Sequence, residues 1–228
     1  MSDALEAAFR RNFEERGELG ASLSVWKNGI EVYSLHHGWC DPERTRPWKS
    51  DSFAPVWSAT KGPAALTVLM ALEAAGLTAR SRVEEIWPEL LAARGTGLTF
   101  AQLLSHQSGL AALSPENRPH ILSFRGVVAA LEKQEPFWRP GHGHGYHPRT
   151  IGFLLDEVVR RLSGGTSLAE YWNTKLAIPL GIEFRIGDLP VGVLERIATI
   201  VPPKLQRPTE LEIPFYRALA QADSLPRA

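Results

Sequence analysis

The chain has 228 residues, of which 44% are hydrophobic and 22% charged, as is typical of a globular protein with a substantial core. Basic and acidic residues balance at 25 each, so no basic surface favours a nucleic acid or an anionic membrane as partner. The single cysteine, Cys40, excludes an internal disulfide framework and favours a reducing, cytoplasmic location. We expect neither a signal peptide nor a membrane span, because the first residues and the apolar runs fit neither pattern.

The amino-terminal part of the chain predicts one helix followed by one hairpin. Ser2 can cap a helix whose apolar residues recur at helical spacing, namely Leu5, Ala8, Phe9 and Phe13. Two β-type runs, 21–27 and 30–35, then flank Asn28-Gly29. An Asn-Gly pair between such runs is a strong signal for a tight hairpin turn.

The rest of the chain is predicted to be mostly helical. One helix follows Lys61, with apolar residues Leu66, Leu69, Met70 and Leu72. Another follows Pro148, with apolar residues Ile151, Leu154, Leu155, Val158, Val159 and Leu162. Capping boxes are predicted at Ser81, Thr99 and Ser167. Prolines break the pattern from 202 onward, which predicts loop with one short helical piece. The whole pattern indicates an α+β protein.

The spacing of Ser58 and Lys61 is the strongest chemical signal in the sequence. Residues three apart share one face of a helix, and a lysine amine beside a hydroxyl can accept its proton and so create a nucleophile. Ser24 and Lys27 have the same spacing, but they lie in a β-type run where residues three apart point to opposite faces. The alternative for Ser58 is a helix cap, with Lys61 in solvent.

Histidines near a glycine-rich loop offer two further interpretations. The run HGHGYH at 142–147 resembles the HxHxDH pattern of metallo-β-lactamases, with tyrosine in place of aspartate. No histidine follows His147, so the further imidazoles of such a zinc site are missing, and we expect no metal. His106 is a candidate base, although we favour a structural role for it. Tyr146 is either a proton-transfer group or an aromatic residue that anchors a turn.

Three segments together resemble one family. They are LLSHQSGL at 103–110, PGHGHGYHPRTIG at 140–152, and the stretch from Trp48 and Asp51 through Phe53 to Ser58-Ala59-Thr60-Lys61-Gly62. These segments are similar to those of serine β-lactamase-like proteins, and above all to family VIII carboxylesterases, which are relatives of class C β-lactamases and D-alanyl-D-alanine carboxypeptidases. The resemblance covers nearly all of this chain but only the amino-terminal part of the family.

The resemblance implies roles for three residues. Ser58 would be the nucleophile, Lys61 its proton-accepting partner, and Tyr146 the phenol that relays the proton to the leaving group. The backbone N–H of Ser58 would be one oxyanion donor. No cofactor and no metal are implied, and the partner would be a small ester. His106 would pin a turn, as in the family segment.

The sequence also departs from the family pattern. Pro148 stands where β-lactamases carry an asparagine two residues after the tyrosine, and its side chain cannot bond a substrate amide, which favours esters over lactams. We find no strand of the KTG or HxG type after residue 150, so the resemblance implies a β-lactamase/transpeptidase-like fold with an incomplete antiparallel sheet and without one oxyanion donor. The rivals to an esterase are therefore a non-catalytic remnant or binding module and a lactam- or peptide-hydrolysing enzyme.

The predicted organisation is a single domain over 1–228. It comprises a helix and hairpin over 1–57, a mainly helical part over 58–183, and an irregular tail over 184–228. Because a two-stranded hairpin leaves unpaired edges, we also predict self-association through the sheet edge beside Leu23, Val25, Ile30 and Val32.

Overall fold

The computed structural model describes residues 2–114, 118–187 and 189–201 and shows an α+β protein, the fold class that the sequence predicts. The described residues form two compact units. One unit runs from the amino terminus to Trp57 and includes residues 189–201, and the other runs from Ser58 to residue 187. The loop and short helical piece predicted from Pro202 onward lie outside the described residues.

The first unit contains a helix and an antiparallel hairpin. Helix α1 covers Ser2–Glu15, strand β1 covers Gly20–Lys27 and strand β2 covers Ile30–Gly38. The predicted turn is confirmed, because Asn28 and Gly29 have φ angles of 53° and 77°, the positive values that a tight hairpin turn requires. The register shifts by one residue between Val25 and Trp26.

The segment 189–201 pairs with the chain that follows the hairpin. The Arg46 guanidinium donates to the carbonyl oxygens of Glu195 and Ile197, both at 3.1 Å, across 149 and 151 positions of sequence. Phe53 donates its N–H to the Arg196 carbonyl and accepts the N–H of Ala198. A short helix, Val191–Leu194, precedes these contacts. Long-range backbone pairing therefore closes this unit.

The second unit is helical. In chain order it contains α2 (Lys61–Ala74), α3 (Phe100–Leu104), α4 (Phe124–Lys133), α5 (Thr150–Leu162), α6 (Leu168–Trp172) and α7 (Ile178–Leu180). A 3₁₀ turn at Trp57–Thr60 leads into α2, and a π-helical turn at Asn173–Ala177 joins α6 to α7. Helix α5 is central, since it packs against α2, α4 and α6.

The apolar residues predicted for α5 form its buried face. Ile151, Leu154, Leu155, Val158 and Val159 are buried, and Leu162 is half-buried. In α2 the prediction is only partly right, because Leu66 and Leu69 are exposed. The buried face of α2 instead consists of Ala64, Thr67, Val68, Ala71 and Leu72.

Of the three predicted capping boxes in the second unit, the one at Thr99 is confirmed, because Thr99 and Gln102 bond reciprocally at α3. At α6 only half of the predicted box is present, since Ser167 accepts the N–H of Glu170. The box predicted at Ser81 is wrong by one residue, because Arg82 occupies the cap of a 3₁₀ turn at Val83–Glu85. Across the described ranges, no helix combines the length and apolar character needed to cross a membrane.

Candidate active site

Ser58 lies in the 3₁₀ turn directly before α2, and Lys61 is the first residue of that helix. Ser58 is therefore not the helix cap, because Thr60 occupies that position. Pro63 falls in the first turn of α2, where a missing N–H costs no intrahelical hydrogen bond. The three-residue spacing brings Lys61 Nζ to 3.0 Å from Ser58 Oγ, to which it donates. The Lys61 side chain therefore contacts Ser58 and does not simply extend into solvent.

Tyr146 reaches the same oxygen from the loop between α4 and α5. Its hydroxyl donates to Ser58 Oγ at 2.7 Å, although the two residues are 88 positions apart. The structure therefore brings together all three predicted site residues, with Ser58 Oγ between the lysine and the phenol. This arrangement has the parts of a nucleophile and its proton-transfer partners, within hydrogen-bond reach of one another.

The Lys61 ammonium has a second acceptor that sequence reasoning missed. It donates to the backbone carbonyl of Pro148 at 3.2 Å, and it lies 4.9 Å from the centre of the Tyr146 ring. Proline keeps a carbonyl oxygen even though it lacks an N–H and a polar side chain. The residue that departs from the β-lactamase pattern thus holds the lysine through its backbone.

Hydrogen bonding changes the acidity of the phenol. A side-chain hydrogen bond with Lys61, followed by the hydrogen bond to Ser58, lowers the pKa of Tyr146 below its usual value of 10.0. Half of the Tyr146 side chain is exposed, at 50% of its accessible surface. The lowered pKa brings the phenol closer to the range in which it can both accept and donate a proton near neutral pH.

His106 contacts the tyrosine loop but forms no hydrogen bond with Ser58. Its carbonyl accepts the N–H of Gly145 and its Nδ1 accepts the N–H of His147, both at 3.2 Å. Its ring lies 5.0 Å from that of Tyr146, centre to centre. Burial, the charge of Lys61 and then His144 lower the pKa of His106. These contacts support the structural role that we favoured for it.

His147 is the residue of the site that sequence reasoning missed. It is fully buried, with its Nε2 2.8 Å from Ser108 Oγ and its Nδ1 2.5 Å from the carbonyl oxygen of Gly145. Burial lowers the pKa of His147 to about 4, so the ring is neutral at pH 7. The signal available in the sequence was a second polar residue, Ser108, inside the LLSHQSGL segment.

Neither a metal cluster nor a third strand accompanies the site within the ranges that the structure describes. No three His, Cys, Asp or Glu side chains there are close enough to hold an ion. The described sheet consists of β1 and β2, and the regular elements that follow Tyr146 there are helices and turns.

A mostly apolar cavity of about 290 Å³ opens at the start of α5. Its lining includes the apolar residues Leu113, Ile121, Val127 and Phe153 and the basic residue Arg149. Arg149 follows directly after Pro148, whose carbonyl holds Lys61. The cavity suits an apolar group of modest size.

Residues 5–199 match the family model described as Beta-lactamase. The chain belongs to this family. Among curated relatives, the Esterase/beta-lactamase LipL of Mycobacterium tuberculosis is 28% identical over 198 residues, which are 86% of this chain and 46% of LipL.

Solved structures agree with that membership. A penicillin-binding protein homolog from Caulobacter crescentus has a TM-score of 0.81 and 32% identity over 89% of this chain and 54% of its own. A family VIII carboxylesterase has a TM-score of 0.76 and 36% identity over 86% of this chain and 54% of its own. A class C beta lactamase, at 21% identity and a TM-score of 0.69, shows the shared fold. The chain spans about half the length of these relatives.

Proposed function

We propose that this chain carries the nucleophile centre of a serine hydrolase that cleaves small carboxylic esters through an acyl-enzyme on Ser58. The observation that carries the proposal is the position of Ser58 Oγ, which is 3.0 Å from Lys61 Nζ and 2.7 Å from Tyr146 Oη. Membership of the Beta-lactamase family supports the hydrolase class. The similarity to an esterase/beta-lactamase and to a family VIII carboxylesterase supports an ester substrate.

Before attack, one member of the pair formed by Lys61 and Tyr146 gives up a proton to solvent, because both groups donate to Ser58 Oγ at rest. In the first half-reaction, Ser58 Oγ attacks the ester carbonyl carbon and its proton passes to that deprotonated member of the pair. The two act together, because each contacts Ser58 Oγ and the hydrogen bond with Lys61 lowers the pKa of Tyr146. The tetrahedral intermediate collapses and its C–O bond to the alcohol breaks. Tyr146 then protonates the leaving alkoxide, and an acyl group stays on Ser58.

In the second half-reaction, a water molecule attacks the acyl carbon while the same pair accepts its proton. The bond between the acyl carbon and Ser58 Oγ breaks, the proton returns to Ser58, and the carboxylic acid leaves. The pair thus acts as a base in each attack and as an acid in each collapse. The Ser58 N–H would stabilise the oxyanion in both intermediates.

Two observations favour rival functions. Within the described ranges no strand follows β2, and the resembled enzymes take a second oxyanion donor from such a strand, which favours a protein that is acylated but turns over slowly. Loss of one such donor typically costs ~10²–10³ in rate. The name of LipL combines esterase with beta-lactamase, which keeps a lactam substrate as a candidate.

Intact mass spectrometry separates these functions in one experiment. The protein is incubated with p-nitrophenyl butyrate, with an organophosphonate ester, and with a β-lactam. Ester turnover together with a stable phosphonate adduct supports the proposal, whereas a stable acyl adduct without turnover supports the acylated but slow protein. Turnover of the lactam faster than the ester overturns the choice of substrate, and no adduct with any reagent overturns the proposal.

A further inference from the structure

Tyr146 depends on its neighbours in the chain for its position. Its ring is half exposed, and its hydroxyl contacts Ser58 at the open end of the side chain. The loop that carries it is rich in glycine, with Gly141, Gly143 and Gly145 among the five residues before it. Such a loop has little intrinsic preference for one backbone path. Contacts made by Gly145 and His147 therefore help to fix where the phenol points, together with the contacts of its ring with His106 and Lys61.

The hydrogen bonds of His147 define a single tautomer. The carbonyl oxygen of Gly145 can only accept, so Nδ1 carries the hydrogen and donates to it. The bare Nε2 then accepts the hydroxyl hydrogen of Ser108, whose Oγ in turn accepts the N–H of Leu110 at 3.3 Å. Each group in this chain of hydrogen bonds has one consistent direction, from the Leu110 amide to the Gly145 carbonyl.

These hydrogen bonds, together with those of His106, connect the two residues that flank Tyr146. The imidazole of His147 bonds the carbonyl of Gly145, two residues back, so the side chain spans Tyr146. The backbone N–H groups of Gly145 and His147 both bond to His106, one to its carbonyl and one to its Nδ1. Gly145 and His147, which flank Tyr146, are thus each held by at least two hydrogen bonds.

Trp138 packs against the imidazole ring of His147. Its indole lies 5.9 Å from the His147 ring in an edge-to-face arrangement. A Cβ built on Gly145 would stand 2.5 Å from Trp138 Cη2, so the tryptophan fills the space that any larger residue at 145 would need. The loop therefore lies directly against the indole.

We propose that His147 is a positioning residue, which holds the phenol of Tyr146 at Ser58 through its hydrogen bonds with the Gly145 carbonyl and the Ser108 hydroxyl. This proposal rests on the proposed function where it concerns catalysis, and it extends that function by assigning a residue that touches neither substrate nor Ser58. The depressed pKa of His147, about 4, supports the neutral tautomer that these bonds require. The titratable groups that face His147 are His106 and His144, and both lower its pKa further.

Two substitutions of His147 separate its two hydrogen bonds. The side-chain amide of asparagine lies where Nδ1 lies, so His147→Asn keeps a donor for the Gly145 carbonyl. The longer glutamine places its amide near Nε2, so His147→Gln keeps the Ser108 contact and loses the bond across Tyr146. His142→Gln is the matched control, because His142 is an exposed histidine of the same loop.

The first readout is independent of activity. As Tyr146 Oη moves away from Lys61 and Ser58, its lowered pKa should return toward the usual value for tyrosine. We expect this rise, measured by NMR titration of ¹³Cζ-labelled tyrosine, to be largest in His147→Gln, which loses the bond across Tyr146, smaller in His147→Asn, which loses only the Ser108 contact, and absent in His142→Gln. An unchanged Tyr146 pKa in a folded His147→Gln protein overturns the proposal even if no ester is hydrolysed.

The second readout tests the link to catalysis. The alkoxide that leaves an ethyl ester needs a proton, whereas p-nitrophenolate leaves without one. Displacement of Tyr146 should therefore slow the hydrolysis of ethyl esters more than that of p-nitrophenyl esters. We expect kcat/KM of His147→Gln to fall ~10²-fold for an ethyl ester and at least tenfold less for the p-nitrophenyl ester, with KM unchanged. In a Tyr146→Phe background the same substitution should have no further effect.

The outcomes distinguish the failure of each proposal. If kcat/KM falls equally for both esters, or if it still falls in the Tyr146→Phe background, His147 is a merely structural residue and the inference is overturned. Absence of all acylation in the wild type overturns the proposed function, while the tyrosine titration still decides the placement. If His147→Gln does not fold, long-range ¹H–¹⁵N spectra of the wild type test the Nδ1–H tautomer directly, and the Nε2–H tautomer there overturns the inference.

Discussion

Tyr146 Oη lies 2.7 Å from Ser58 Oγ, although the two residues are 88 positions apart and belong to a loop and to a 3₁₀ turn. In the sequence, Tyr146 is marked only by its glycine-rich loop, and Ser58 only by its three-residue spacing to Lys61. Because both partners are within reach of a proton transfer, the contact turns two weak sequence signals into one chemical arrangement.

Ser58 should be the single serine that an organophosphonate modifies. Ser58→Ala should abolish the adduct seen by intact mass and peptide mapping, because it removes the nucleophile. Ser24→Ala is the matched control, since Ser24 has the same spacing to a lysine but bonds to Glu31 and Trp26 in the first unit. An adduct on Ser24 or Ser105 with Ser58 unmodified would contradict the assignment.

Lys61→Met should lower the rate constant of phosphonate labelling by ~10²–10⁴-fold, the range over which a positioned proton-transfer group contributes. Methionine keeps an unbranched side chain and removes the charge that bonds to Ser58 and to the Pro148 carbonyl. The melting temperature should change little by comparison. Lys27→Met, at the end of β1, is the control that should label at the wild-type rate.

The sequence predicted those elements that depend on local spacing. The Asn28-Gly29 turn and the Thr99 cap are set within a few residues, and the structure has both. Ser58 and Lys61 likewise share a face because of their separation along one turn. Local rules suffice in such cases because the interacting groups are neighbours in the chain.

The elements that escaped prediction depend on how distant segments meet. The bond between His147 and Ser108 joins residues 39 apart, and the pairing of Phe53 with Arg196 and Ala198 joins segments far apart in sequence. The role of Pro148 uses a backbone carbonyl, which every residue has, so no residue type could signal it. In α2, the smaller residues are buried instead of Leu66, in a helix that packs against both α5 and α6.

The buried His147 should make stability depend on pH. Its folded-state pKa of about 4 lies below the usual 6.5, so between these values the unfolded chain binds a proton that the folded chain does not. The free energy of unfolding should therefore fall as pH drops from 6.5 to 4, by up to about 3 kcal/mol, and this contribution should be constant outside that window.

Urea denaturation at pH 7.5 and pH 4.5 measures this effect. Other groups titrate in the same window, so the informative quantity is the difference between the wild type and His147→Asn, which cannot bind the proton. The variant should lose less stability on acidification than the wild type. Equal losses in both proteins would contradict a depressed pKa, and His142→Gln should behave as the wild type does.

Chelation should affect neither stability nor ester hydrolysis. The histidines of the HGHGYH run have other roles or are exposed, because His147 bonds to Ser108 and Gly145 while His142 and His144 face solvent. Thermal melts and activity are measured before and after dialysis against EDTA. A stoichiometric metal in the purified protein that is lost together with activity would contradict this prediction.

The hairpin should mediate self-association of the chain. Ile30 and Val32 are 67% and 45% exposed, and the described sheet has only the two strands β1 and β2, whose outer edges carry no further strand there. Leu23 and Val25, which we also predicted beside the edge, are half-buried. Unpaired strand edges next to exposed apolar side chains favour pairing with another copy.

Sedimentation velocity over a concentration series tests this association. Val32→Lys places a charge on the exposed face of β2 and should shift the distribution toward monomer, because a lysine beside the edge penalises pairing of two strands. Val191→Lys is the matched control, since it makes the same change at a residue that is 81% exposed in the short helix Val191–Leu194. If both variants dissociate the oligomer equally, general surface hydrophobicity drives association. A wild type that is monomeric at all concentrations would show that the hairpin edge is not used.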